Sequence, residues 1–529
     1  MTAPSRPDEP PRAPTSTPLR AAACVLTAAC MVLGAPDTGW WWLGFVGWLP
    51  WLWAIDGQTP RRALALGQLA GTLVMFGTAI WMTNLLERFA GLSFAPRTVV
   101  HLLFALLQGL QWAGVSYTIA WLQRRTGRSI LLLAPLCWVA GEALAPHLFP
   151  TYSALLWCWH PVWLQVADLG GVTMVGAVQV GINAALYVVV RDGFRSGVNR
   201  AGLATLALLL LGTPLYGAAR MASADAMSAA APHVRFGIVQ GNHGIREWSR
   251  KSTRPAVLFR LQAQSAVLES QGAEVIVWGE NAYPHRKVLA RSGGADFPES
   301  DVQRIRRGFQ SPLVFGAITA DPAASPYAWN SAVVLAPDGT IGDLYDKNYP
   351  LLFGEYAPLV DPAWYLANVK GASHINAGLG VSVLRVGEWR LGPLICYEDI
   401  LPRFARRVVN ADVHVLVNLT SDTWFGSSSE QGQHLGLAVL RSIESRRAMV
   451  RSVNAGPSAF IDPSGRVVRQ TTVTDPDATG APTPVPDGFV VDVPMIDPAH
   501  RTVYAWSGGL FEGLVLLGLV GLGVRGRLR

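Results

Sequence analysis

The 529 residues exceed what one ordinary domain holds, so at least two modules are expected. Half of the residues are hydrophobic, 15% are charged and the mean hydropathy is +0.27, which excludes an all-soluble chain and calls for several membrane spans. The formal net charge of +7 does not mark a nucleic-acid binder, because the basic residues gather in short breaks between apolar runs.

In chain order, residues 1–17 are rich in Pro, Ser and Thr and read as a disordered tail. Apolar runs follow near 19–35, 39–55, 63–84, 98–122, 129–148, 168–190 and 201–219, with an eighth near 506–524. Each is long enough to cross a hydrocarbon core of about 30 Å. The first run has many successors and no clean cleavage site, which argues against a signal peptide. With the N-terminus placed in the cytoplasm, fourteen arginines fall on cytoplasmic segments: Arg6, Arg12, Arg20, Arg61, Arg62, Arg124, Arg125, Arg128, Arg191, Arg195, Arg200, Arg525, Arg527 and Arg529. The short outer loops carry only Arg88 and Arg97. This is the positive-inside pattern, and seven spans before the polar module put that module outside the cytoplasm.

The polar module, 233–497, reads as α/β. Short β-branched runs at 234–240, 273–280, 312–319, 390–398 and 413–422 alternate with helical stretches such as 255–271 and 432–447. Buried strands between helices indicate a sandwich or a doubly wound sheet, where active residues favour strand ends. No GxGxxG or P-loop supports a nucleotide enzyme. Of five cysteines, Cys24, Cys30, Cys137 and Cys158 lie in or beside apolar segments, while Cys396 stands alone in the polar module, without a disulfide partner. Glu280, Lys347 and Cys396 each stand at or just after a strand. A thiol needs a base or a nearby positive charge to become a thiolate, and an ammonium can stabilise an oxyanion. Taken singly, each is more simply a packed thiol or a solvated charge.

Together, WGENAYP (278–284), YDKNYPLLFGEYAP (345–358), LICYEDI (394–400) and NLTSDTWFGSSSEQGQH (418–434) resemble the nitrilase superfamily and, more narrowly, the apolipoprotein N-acyltransferase family. That resemblance covers the whole chain. It implies a multi-span α-helical membrane domain (18–220 and 506–524) plus an inserted α/β nitrilase-like sandwich domain, α-β-β-α. It implies Glu280 as general base, Cys396 as nucleophile and Lys347 as stabiliser of the tetrahedral intermediate. Glu355, Tyr397 and Glu398 match supporting positions, and Trp248 more loosely matches a tryptophan near the lipid entrance. Two positions depart from the family pattern: Gly279 and Leu352 stand where proline is usual. The activity implied is acyl transfer from a membrane phospholipid, through a cysteine thioester, to the α-amine of a diacylated apolipoprotein. No cofactor is implied; the setting is the bacterial cytoplasmic (inner) membrane, with a monomeric enzyme on its periplasmic face. A membrane-anchored amidase or an acyltransferase for another amine is the alternative within this chemistry. A transporter with a degenerate binding domain is the alternative outside it, with Glu142 and Asp168 the main ionisable residues in the spans.

The ten histidines show no metal-ligand spacing, so no metal is expected. His434 reads as satisfying local hydrogen bonds, and Asp422 and Asn418 as strand-end residues. The Trp-rich run 39–53 reads as an interfacial anchor, and the Gly-rich last span as a surface for close helix packing.

Overall fold

The computed structural model describes residues 16–193, 197–285, 291, 294–368, 373–478 and 485–525. Most of the tail, 1–15, and five of the arginines counted above (Arg6, Arg12, Arg195, Arg527 and Arg529) lie outside the described residues.

The first half is helical. Phe94–Thr126, Val172–Asp192 and Asn199–Ala230 are long and apolar enough to cross a membrane, and Pro60–Thr78 bends by 59° into Met82–Ala90. Thr17–Leu33 and Ile130–Leu144 are shorter apolar helices. Leu103, Leu110, Leu208, Leu215, Leu517 and Val520 are largely exposed on these helices, an outward apolar surface suited to lipid. The run 39–55 is not one continuous span: it splits into a 3-10 turn, Trp41–Phe45, and a seven-residue helix, Leu49–Ile55. Its tryptophans also divide. Trp40 and Trp42 are exposed, but Trp48 and Trp51 are buried against Trp138, and Trp51 donates to Ser116 Oγ at 3.0 Å. Those two therefore pack the bundle core and do not anchor an interface. In the last helix, Leu510–Arg525, nothing approaches Gly513, Gly518 or Gly521, so the expected close packing is confined to Gly523 against Trp121.

The second half is two six-stranded sheets. The strands are β1 His233–Gln240, β2 Val275–Trp278, β3 Leu313–Thr319, β4 Trp329–Leu335, β5 Ile341–Asp346, β6 Leu384–Val386, β7 Trp389–Ile395, β8 Val415–Ser421, β9 Met449–Asn454, β10 Ala459–Ile461, β11 Val467–Gln470 and β12 Asp487–Pro494. One sheet has the order β12-β1-β2-β3-β4-β5 and the other β11-β10-β9-β8-β7-β6. In each, three parallel strands are flanked by antiparallel ones. The parallel strands are buried on both faces, which is why VIVW in β2 reads as an unbroken apolar run. Phe236, Val277 and Val314 of the first sheet share one core with Leu394, Val417 and Val450 of the second, so the sheets pack face to face. Arg254–Ser270 covers the first sheet; Pro402–Val409 and Glu430–Ser445 cover the second.

The helical half docks on that second helix layer. Trp157, Leu164 and Val175 join the sandwich core. Arg446 donates to Gln165 Oε1 at 2.6 Å and to Asp168 Oδ2 at 2.7 Å, while Glu444 accepts from the Val172 amide at 2.9 Å. Asp168 also accepts from Tyr216 and Arg220, both at 2.7 Å, and Glu142 accepts from Ser153. Both acids are thus structural anchors rather than steps in a transport path.

Candidate active site

Glu280 leaves β2 after Gly279. A Cβ on Gly279 would lie 2.9 Å from Thr420 O and 3.1 Å from Ser452 O, so glycine here lets the end of β2 rest on the backbone of the other sheet. The Glu280 amide donates to Thr420 O at 3.3 Å. Its carboxylate Oε1 accepts from Asn330 Nδ2 at 2.7 Å and from Lys347 Nζ at 3.2 Å. Lys347, just past β5, is 1% exposed and lies 2.8 Å from Glu355 Oε2. Asn330 Nδ2 also reaches Glu355 Oε1 at 3.0 Å, so one amide and one ammonium are shared by two carboxylates.

Cys396 follows β7 with φ 53°, a left-handed conformation that costs a non-glycine residue energy and is typical of functional turns. The strain turns the chain sharply into the 3-10 turn Cys396–Ile400. Asn418 Nδ2 holds this turn by donating to Cys396 O at 3.3 Å. Glu398 is fully buried and collects four donors: the Ile395 amide at 2.8 Å, Tyr345 Oη at 2.7 Å, and the amides of Asn348 at 2.6 Å and Tyr349 at 3.1 Å. It therefore ties the cysteine turn to the loop that carries Lys347. Tyr397 packs edge-on against Phe149 of the helical half, with ring centroids 6.1 Å apart. Trp248 donates to the carbonyl of Asn281, next to Glu280, at 2.9 Å.

The electrostatics suit proton transfer. Burial, reinforced by Glu355, raises the Glu280 carboxyl above its ordinary range against the pull of Lys347. Burial opposes the charge on Lys347, but Glu280, Glu355 and Cys396 outweigh it and hold its ammonium well above the usual lysine value. Burial, then the charge on Glu280, pushes the Cys396 thiol well up, and Lys347 pulls it back. Burial and Glu280 thus favour the neutral thiol, while Lys347 favours the thiolate.

Asn330 carried no motif in the sequence; its place on β4, where its carbonyl accepts from the Lys347 amide at 2.8 Å, brings it to the site. Of the two residues read as strand-end, Asp422 directly follows β8, but Asn418 lies in the middle of that strand, where its side chain fixes the cysteine turn.

Residues 235–477, which contain the sandwich core and this cluster, match the carbon-nitrogen hydrolase family, and that is the class of the module. Residues 27–185 match the apolipoprotein N-acyltransferase N-terminal domain. The chain belongs to the apolipoprotein N-acyltransferase family. It is 28% identical to the apolipoprotein N-acyltransferase of Geobacter metallireducens, over 84% of this chain and 85% of that one. It is also 28% identical to that of Pseudomonas syringae pv. tomato, over 78% and 80%. An amidase from Nesterenkonia sp. is similar over 52% of this chain and 96% of its own, at 18% identity and a TM-score of 0.36.

Proposed function

We propose that the protein transfers an acyl chain from a membrane phospholipid to the α-amine of a diacylated apolipoprotein, with Cys396 as the carrier. The observation that carries this reading is the position of the Cys396 turn: its neighbour Tyr397 packs on Phe149, at the seam between the sandwich and the apolar helices. A nucleophile at that seam can receive lipids laterally from a bilayer. Around the Lys347 loop, Phe353, Leu359 and Trp364 expose apolar side chains that suit the same surface.

In the first half-reaction Glu280 takes the Sγ proton as sulfur attacks the ester carbonyl, and Lys347 faces the oxyanion. The C–O bond breaks, and the lysophospholipid leaves with the proton from Glu280. In the second, the neutral amine attacks the thioester, Glu280 accepts the amine proton, and sulfur departs to recover it. Glu355 and Asn330 orient the base and the cation, and Trp248 supports the residue after Glu280. Water must be kept from the thioester, which the buried setting favours.

The domain plan follows the same logic. The helical segments of 18–220, together with the last helix (506–524), span the inner membrane, and 233–497 lies on the periplasmic side, as a monomer. The arginine distribution supports this orientation.

Intact mass spectrometry of the purified protein after incubation with phospholipid tests the acyl step. A hydroxylamine-labile acyl adduct is expected on the wild type and absent from Cys396→Ser and Glu280→Ala. A diacylated lipopeptide should discharge it to the peptide amine. An adduct that only another amine, or water, discharges points to a different acceptor, and the absence of any adduct removes the acyl-carrier role of Cys396.

A further inference from the structure

A second set of buried ionisable side chains gathers where β8, the cysteine turn and the Glu430–Ser445 helix meet. Asp422 follows β8, Asp399 lies in the turn after Cys396, and Glu430 and His434 stand one helical turn apart. His434 Nε2 is 2.8 Å from Asp399 Oδ1. That contact orients the imidazole so that Nδ1 faces two further carboxyl groups. Nδ1 lies 3.4 Å from Asp422 Oδ1 and 3.5 Å from Glu430 Oε1, and the three donor atoms fall within 4.8 Å of one another.

Asp422 is fully buried, and neither of its oxygens has a hydrogen-bond partner. Arg451 comes no nearer to it than 3.8 Å; its guanidinium is engaged by Pro457 O at 3.1 Å and Asp399 Oδ2 at 3.4 Å. Three carboxyl groups thus gather around one guanidinium and one imidazole, with Nδ1 and the Asp422 and Glu430 oxygens turned to a common gap. Buried charge of one sign is costly until something of the other sign occupies the gap. A tetrahedral ion with bonds of about 2.0–2.1 Å holds its donors about 3.3–3.4 Å apart, close to the two spacings at Nδ1. An Asp behind the His is the usual way a metal-bound imidazole is oriented.

We propose that Asp422, Glu430 and His434 form a binding site for a divalent transition-metal ion of the zinc class, with Asp399 orienting the imidazole. The ion would brace the end of β8 against the start of the Glu430–Ser445 helix, beside the turn that carries Cys396. Its role is structural; no step of acyl transfer passes through it.

The test uses the untagged full-length protein in detergent, stripped with EDTA, exposed to excess zinc chloride and gel-filtered. Elemental mass spectrometry is expected to find about one zinc per chain. Glu430→Gln, which keeps the shape of the side chain, should weaken zinc binding at least tenfold with an unchanged circular dichroism spectrum. Asp422→Asn should do the same, and if it unfolds, Glu430→Gln decides alone. Cobalt in place of zinc should show ligand-field bands of a nitrogen and oxygen site without a sulfur charge-transfer band. Equal zinc retention by wild type and Glu430→Gln, or a sulfur band that Cys396→Ser removes, would put the ion elsewhere and overturn the site. No retained zinc would overturn it too, leaving His434 as a protonated ion-pair partner. Zinc retention is read without lipid, so either result stands apart from the outcome of the acyl-transfer experiment.

Discussion

Glu398 is where one side chain sets the geometry of two loops. All four of its donors point at carboxylate oxygens, two of them on the Lys347 loop as backbone amides. In Glu398→Gln one oxygen becomes an NH2 that faces donors, leaving buried amides unpaired at a cost of about 1–3 kcal/mol each. Formation of the acyl adduct should slow at least tenfold under saturating phospholipid, with the half-saturating concentration little changed. Stopped-flow quenching followed by mass spectrometry measures both. His243 gives a different residue-scale prediction. Burial lowers its pKa to about 3, so it is neutral in the fold and takes up a proton only on unfolding. The unfolded chain therefore binds more protons below about pH 6.5, and stability should fall by up to about 1.4 kcal/mol per pH unit as the pH drops towards 3. Denaturation curves at pH 7 and pH 5 should show this loss, and His243→Leu should reduce it.

These residues also show what a sequence can carry. Glu280, Lys347 and Cys396 stand out in the sequence because each sits in a distinctive local string, and Glu280 and Cys396 also close strong strand runs. The same holds for β1, β2, β3, β7 and β8 and for the two long helices of the sandwich, whose buried runs or periodicity announce them. Asn330 was not legible: its role arises from a strand pairing that no local pattern encodes. His434 read as a residue with local hydrogen bonds, since its partners Asp399 and Asp422 are 35 and 12 positions away. Trp48 and Trp51 read as interfacial because burial among other tryptophans depends on helices distant in the chain.

At the scale of elements, the helix Met82–Ala90 links the halves beside the site. It leaves Pro60–Thr78 at an angle of 59°, and Arg88 forms a two-pronged ion pair with Asp475, at 3.0 and 2.5 Å. Phe89 packs against Trp424, and Trp81 against Phe425. The aromatic contacts persist without the ion pair, so Arg88→Ala should leave the helix in place but loosen the 471–478 segment. Hydrogen exchange is expected to speed there and not in β8. On the opposite side of the junction, Arg446 and Asp168 are almost fully buried. Arg446→Met leaves Asp168 to Arg220 and Tyr216 alone and should cost about 3 kcal/mol, read as a lowered melting temperature in detergent.

For the whole molecule, orientation is the property most directly open to test. Asp338→Cys, in the turn between β4 and β5, should react with a membrane-impermeant maleimide in intact spheroplasts. Arg61→Cys, before the Pro60–Thr78 helix is fully under way, should react only after permeabilisation. The reverse pattern would place the sandwich in the cytoplasm.

The sandwich is entered and left through a single antiparallel pair, with His233 opposite Pro494. Both tethers to the helices therefore leave from the same end of β1 and β12. A force drawing the tethers apart would open that pair like a zip, one rung at a time, instead of shearing all its rungs together. Mechanically, the two connections are a weak hinge. The load between the bilayer and the sandwich must then be borne by the docked face, through Arg446, Glu444 and the core around Trp157, so the module resists being lifted only while that face stays seated.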